Sequence, residues 1–198
     1  MEYTTKDLHI RPFLPGDREA MAALLMDKIV AKTYMLPDFA CAAEAEKMFD
    51  RLMELSARND RFICAICLNG QCIGMVNDTE IKDDSIELGY AILPQYHNRG
   101  YCTQMLRGAI EYLHMHGFSK VLTAAFECNG ASLRVMEKCG MTFEGVMRSK
   151  LFVKGLFRDI GVCSILSGEY FTLPRENLYK KYENVSLLEK IVRRCSKN

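Results

Sequence analysis

A mixed α/β domain, built on a mostly antiparallel twisted sheet with flanking helices, is the fold class the sequence predicts. Three observations carry it. The spacing of apolar residues switches repeatedly between strand and helix periods along the chain. Asn69-Gly70 joins two apolar runs, and both residues tolerate positive φ, which is the strongest short hairpin signal. A single strand–helix–strand crossover, from Ser85 to Phe126, sits in the middle of the chain.

The elements follow in order. Leu8 to Phe13 is a strand closed by Pro15-Gly16, and Asp17 is placed to cap a helix carrying Met21, Leu24, Leu25, Ile29 and Val30 on one face. Pro37 interrupts, and Asp38 opens a second helix to about Ala57, with Cys41, Ala45, Met48, Phe49, Leu52 and Leu55 inward. Arg61 to Leu68 and Gln71 to Val76 form the hairpin, and Ser85 to Leu93 a third strand that stops at Pro94. Cys102, Met105, Leu106, Ala109, Ile110 and Leu113 then mark a helix ended by Gly117, with His114 and His116 on its polar side. Val121 to Phe126 is a strand, Asn129 to Lys138 a short helix stopped by Gly140, and Thr142 to Val153 and Phe157 to Leu166 a hairpin around Lys154-Gly155. One domain over residues 1–168 is expected, with a charged tail over 169–198, helical from Pro174.

Composition narrows the function classes. The 198 residues are 49% hydrophobic and 26% charged, as in a globular protein able to bury its own core. Lys and Arg number 26 against 25 Asp and Glu, so no overall charge draws the chain to nucleic acid or an anionic membrane. Nine cysteines are an odd number, no apolar leader follows the polar Met1 to Asp7, and no run of 18 apolar residues occurs. A reducing cytoplasmic location, without membrane association, is expected. Cys64, Cys67 and Cys72 lack the second pair or histidine cluster of a zinc site, so no metal is expected. The region from Asp17 to Asp60 holds nine acidic and six basic residues, and the tail from Glu169 four acidic and seven basic. Solvated helix faces account for both counts as well as a cleft for a cationic amine does.

The loop between Leu93 and the following helix carries the chemistry. The first turn of a helix leaves amide groups unpaired and partly positive, which suits a phosphate. Gly100 admits close approach of a ligand to the backbone, Asn98 tolerates the left-handed conformation, and Arg99 adds charge. A plain strand-to-helix connection fits the same residues. The sequence has neither a P-loop nor a dinucleotide-binding glycine fingerprint.

Glu87-Leu88-Gly89-Tyr90, Pro94 and His97-Asn98-Arg99-Gly100-Tyr101-Cys102 resemble the cofactor motif of the GNAT superfamily of acyl-CoA N-acyltransferases, in its RimJ/RimL-type branch. Asn129-Gly130-Ala131-Ser132 with Glu137-Lys138-Cys139-Gly140-Met141 resembles the family's second motif. Phe143-Glu144-Gly145 with Lys154-Gly155 and Arg158-Asp159 resembles its closing pattern. The resemblance runs from about Leu8 to Leu166. His97 stands where Gln or Arg is usual, Asn98 where Gly is common, Cys102 for Gly or Ala, and Gln104 for Glu.

The resemblance implies the GNAT fold and transfer of an acetyl group from acetyl-CoA to a primary amine, on a protein N-terminus or a small molecule, by direct attack. An acyl-CoA-binding sensor without turnover is the alternative from another class, and an antibiotic or polyamine the alternative acceptor. The chain would act as a monomer or homodimer. Acetyl-CoA pyrophosphate would lie on the amides of Asn98, Arg99, Gly100, Tyr101, Cys102 and Thr103, with His97 beside it. The pantetheine arm would pair with Ala91, Ile92 and Leu93 like an added strand, in a gap where the strand of Glu87 splays from Val121 to Phe126, and would meet Asn129. Backbone donors would stabilise the developing oxyanion. Glu87 is the candidate base, or else a solvated carboxylate. Ser132 is the candidate acid, or else a helix-start hydroxyl that caps a backbone amide. Tyr90 is a further proton-transfer partner, or else core. Met136 occupies the position from which some relatives supply a tyrosine acid.

Overall fold

A computed structural model describes residues 1–35, 39, 41–153 and 155–172. Its described elements run β1 (Tyr3–Thr4), β2 (Leu8–Arg11), α1 (Arg18–Leu25), α2 (Lys28–Thr33), α3 (Ala42–Ser56), β3 (Ile63–Leu68), β4 (Gln71–Lys82), β5 (Ser85–Ile92), α4 (Tyr101–Met115), β6 (Lys120–Phe126), α5 (Gly130–Lys138), β7 (Thr142–Val153), β8 (Leu156–Leu166) and α6 (Ser167–Thr172). The strands form one sheet in the order β1-β2-β3-β4-β5-β6-β8-β7. Among the described strands only β5 and β6 pair in parallel, and every other neighbour is antiparallel. This is the mixed, mostly antiparallel sheet with flanking helices that the sequence predicts.

Alternation sends successive strand side chains to opposite faces, and each face has its own core. Ile66, Ile73, Ile86, Leu88 and Val121 meet Met105, Leu106, Ala109 and Ile110 of α4. On the other face Ile63, Ala65, Met75 and Ala91 meet Met21 and Leu24 of α1 and Phe49 and Leu52 of α3. Cys64 belongs to the first core and Cys67 and Cys72 to the second, so the three thiols do not converge.

Four expectations are corrected. The first helix is broken at Met26 and Asp27, because the Asp27 carboxylate accepts from Ile29 N and Val30 N at 2.8 and 3.0 Å and starts α2 afresh. Asp17 stands at the start of α1 but caps no helix amide. Its carboxylate turns back to Leu14 N and to the Arg11 guanidinium. β4 runs on to Lys82, with a bulge between Asp78 and Glu80, and a second tight hairpin turns at Asp83, where φ is 54°. His114 is buried rather than solvated: its Nδ1 lies 2.9 Å from Phe118 O, and its ring packs on Tyr170 and Phe171 of α6. α3 begins at Ala42. Asp38, the Pro37 break and the tail helix from Pro174 lie outside the described residues.

Candidate active site

The parallel pairing of β5 with β6 ends at Leu88 and Thr123. β5 continues to Ile92 against β4, while β6 continues to Phe126 against β8. The sheet therefore forks after Leu88. Leu93 N donates to Ile73 O at 2.9 Å, on the β4 side. Strand alternation then turns the main-chain groups of Tyr90 and Ile92 toward the fork. Ala91 and Leu93 turn their main-chain groups to β4 instead, so of the three residues expected to pair with a ligand arm only Ile92 faces the fork.

Beyond the fork the chain turns through Pro94 to Tyr96 into the loop. Asn98 has φ 60° and Gly100 φ 82°, both in the left-handed region. Only glycine and, among ordinary residues, asparagine take that conformation readily. No side chain caps α4 at Gly100, and a Cβ placed on Gly100 would meet open space. The first-turn amides of α4 thus face a free approach, as a phosphate cradle requires. His97 lines the cavity, and its Nε2 donates to Ile92 O at 2.9 Å and ties the loop to the strand.

A cavity of about 300 Å³ joins the fork to the loop. It is lined from β5 by Tyr90, Ala91 and Ile92, from the loop by His97, Asn98, Gly100, Tyr101, Cys102 and Thr103, and from α5 by Asn129 and Ser132. Glu87, Leu93 and Arg99 are off this lining. Glu87 lies two residues before Gly89 on the same side of β5, about 7 Å along the strand.

Sequence reasoning gave no role to Arg134 and Lys138, which also line the cavity from α5. They are four apart and so share one helix face. Asn129 spacing had placed that helix, but its rotation is set by Leu133 and Met136, both buried in the core. Val30, Thr33 and Tyr34 bring α2 to the remaining wall.

Two hydrogen-bonded pairs fix the polar groups at the fork. Asn129 Oδ1 accepts from Ser132 N at 3.1 Å, capping α5. That frees the Ser132 hydroxyl, whose Oγ lies 2.8 Å from Tyr90 Oη. Burial pushes the Tyr90 phenol well above its ordinary pKa, with the Ser132 contact opposing. Cys102 is likewise pushed up to about 12 by burial, so it is a thiol and packs rather than reacts.

Residues 7–142 match the model of the acetyltransferase (GNAT) domain. The chain belongs to the GNAT acetyltransferase family. It is 28% identical over 116 residues to the SPbeta prophage-derived uncharacterized N-acetyltransferase YokL of Bacillus subtilis (strain 168), a match covering 57% of this chain and 64% of that protein. Among solved structures it is similar to a GNAT-family acetyltransferase from Bacillus anthracis, with a TM-score of 0.76, 23% identity and coverage of 85% of this chain and 100% of that one. It is also similar to the RimL ribosomal L7/L12 alpha-N-protein acetyltransferase solved with coenzyme A, with a TM-score of 0.75, 17% identity and coverage of 84% and 98%. At these identities the two structures show a shared fold. Among the described residues no helix is long and apolar enough to cross a membrane.

Proposed function

We propose that the chain transfers an acetyl group from acetyl-CoA to a primary amine. The observation that carries this reading is the junction of two features in one cavity. An uncapped helix start behind a left-handed Asn98–Gly100 turn opens into a forked sheet whose open edge carries the main-chain groups of Tyr90 and the amide of Ile92, the Ile92 carbonyl already accepting from His97. A diphosphate attached to a narrow amide-bearing arm fits that shape, and Arg134 and Lys138 add positive charge at its rim.

When bound, acetyl-CoA supplies an acetyl group activated as a thioester. The residues of this chain do the rest. The amides of Tyr101, Cys102 and Thr103 hold the diphosphate. Tyr90 and Ile92 offer main-chain partners to the arm, and Asn129 stands at the start of α5 beside it. Much of the acceleration is positioning, because fixing two reactants together removes the entropy cost of their encounter. Tyr90, kept protonated by burial, and Ser132 form the hydroxyl pair able to give a proton to a departing thiolate. Glu87, on the side of β5 that faces α2, takes the proton of the incoming amine through water. The α-amine named for the RimL relative makes a polypeptide N-terminus the first acceptor to try.

Calorimetric titration with acetyl-CoA, with NAD and ATP as controls, tests the cofactor. Selective binding of acetyl-CoA is expected, followed by thiol release when amines are added. A folded protein that binds none of the three overturns the reading. Glu87→Gln is expected to lower kcat about 100-fold while leaving acetyl-CoA affinity within about twofold. An unchanged pH–rate profile removes Glu87 as the base.

A further inference from the structure

We propose that Tyr34 is the acceptor-recognition residue, its phenol oxygen taking a hydrogen bond from an N–H of the neutral amine. This rests on the acetyl-transfer reading above and names a group on this chain that would hold the second substrate.

Tyr34 closes α2 and lines the cavity. Its hydroxyl donates to Asn77 Oδ1. The Asn77 amide cannot turn over to receive that bond with its nitrogen, because its Nδ2 donates to Asp78 O at 3.0 Å. The Tyr34 proton is therefore committed, and only the oxygen lone pairs remain to take a further hydrogen bond. Burial also pushes the phenol above its ordinary pKa, so it neither ionises nor serves as a base.

Position supplies the second part of the argument. A Cβ on Gly89 would lie 3.2 Å from Tyr34 Oη and 3.4 Å from Asn77 Oδ1. The phenol thus rests over the main chain of Gly89, the first residue past the last β5–β6 pair. That is the throat of the fork, next to Tyr90. The α2 end is also joined to α5 across the fork, where Asn129 Nδ2 donates to Thr33 O at 3.5 Å. Tyr34 is held from two sides over the throat of the fork.

Charge supplies the third part. Among the described residues the cavity lining holds Arg134, Lys138 and His97 and no carboxylate. A cationic ammonium finds no counter-charge within that lining, and Glu87, about 7 Å along β5 from Gly89, reaches the amine only through water. An uncharged primary amine finds an oriented, neutral acceptor that aligns its lone pair toward the fork. The substrate class is an amine bound as its free base.

The test uses wild type, Tyr34→Phe and Asn77→Ala, with acetyl-CoA and three probe amines: trialanine amide, ethanolamine and spermidine. Thiol release selects the best acceptor. Tyr34→Phe is expected to raise KM for that amine about tenfold, as loss of one hydrogen bond implies, with kcat and the Kd for acetyl-CoA within about twofold. Asn77→Ala frees the phenol to rotate, and a rise of about threefold in the same KM is expected. KM for wild type should fall as pH rises toward the amine's own pKa. Unchanged KM in Tyr34→Phe, or a parallel loss of acetyl-CoA affinity and melting temperature in both variants, overturns the inference and leaves the acetyl-transfer reading standing. Absence of thiol release by wild type with all three amines overturns both.

Discussion

Tyr90 Oη and Ser132 Oγ meet at 2.8 Å across the fork, joining a residue of β5 to the first turn of α5. Neither hydroxyl is needed to cap or pair secondary structure, since Asn129 already satisfies Ser132 N. Tyr90 Oη also lies 3.4 Å from Ser132 O, and this half-buried pair, inside the cavity and beside the open strand edge, is placed to move a proton.

Removing either hydroxyl should therefore slow chemistry rather than binding. Ser132→Ala and Tyr90→Phe are each expected to lower kcat about 30- to 100-fold, with acetyl-CoA affinity nearly unchanged. The double variant should lose little more than either single one, because the pair acts as a unit. The pH behaviour has a definite sign. The Tyr90 pKa is raised above its ordinary value, so the proton stays on through pH 10 and is lost only above it. Wild-type kcat should show no alkaline fall below pH 10 from this group. A fall there that Tyr90→Phe abolishes would contradict the assignment.

Gly100 separates backbone geometry from electrostatics. Its φ of 82° makes any side chain strained, by about 1 kcal/mol, although the space beside it is open. Gly100→Ala should weaken acetyl-CoA binding only about fivefold. Gly100→Glu carries the same strain and adds a carboxylate at the anion cradle, and at least a 100-fold loss is expected. Equal losses in the two variants would mean that the helix start does not hold the phosphates. Circular dichroism of both would confirm that each has folded.

Arg134 and Lys138 should act through charge. Each is expected to cost about 1 kcal/mol of acetyl-CoA binding on replacement by alanine, a loss of about fivefold at low salt. The loss should shrink as salt rises, since screening already weakens the pair in wild type. Titration at two salt concentrations checks both points. A loss independent of salt would assign them to packing against the loop.

What the sequence disclosed about this site follows from how each feature is encoded. Positive φ at Asn98 and Gly100 is written in residue type, because few side chains tolerate it, so the loop was readable residue by residue. The hairpin at Asn69-Gly70 was readable for the same reason, with φ of 50° and 82°. Tyr34 was not, since its role depends on where α2 lies after the break at Asp27, a tertiary matter. Ser132 was singled out, but its partner was not assigned, because which hydroxyl meets which across a fork is not a matter of spacing. Ala91, Ile92 and Leu93 are all expected at the arm because sequence carries no hydrogen-bonding parity, and the structure turns Ala91 and Leu93 to β4. The Tyr3–Thr4 strand is too short for any periodicity to show.

The placement of α1 depends on a buried ion pair, and the strength of that dependence can be measured. Arg11 Nη1 and Asp17 Oδ2 lie 2.7 Å apart, with side chains only 14% and 5% exposed. The Asp17 hydrogen bond holds the Arg11 guanidinium above its ordinary pKa, so the cation persists at every accessible pH. Asp17→Asn would leave that cation buried without its counter-charge and would weaken the bond to Leu14 N. A loss of about 3 kcal/mol is expected, lowering the melting temperature by about 10 °C. Asp50→Asn removes a pair with Arg18 that is 41% and 51% exposed, and should cost no more than about 0.5 kcal/mol. High salt should erase the second effect and spare the first. Equal, small shifts in both variants would show that solvent reaches Arg11 and that the strand-to-helix connection at Asp17 is held by packing alone.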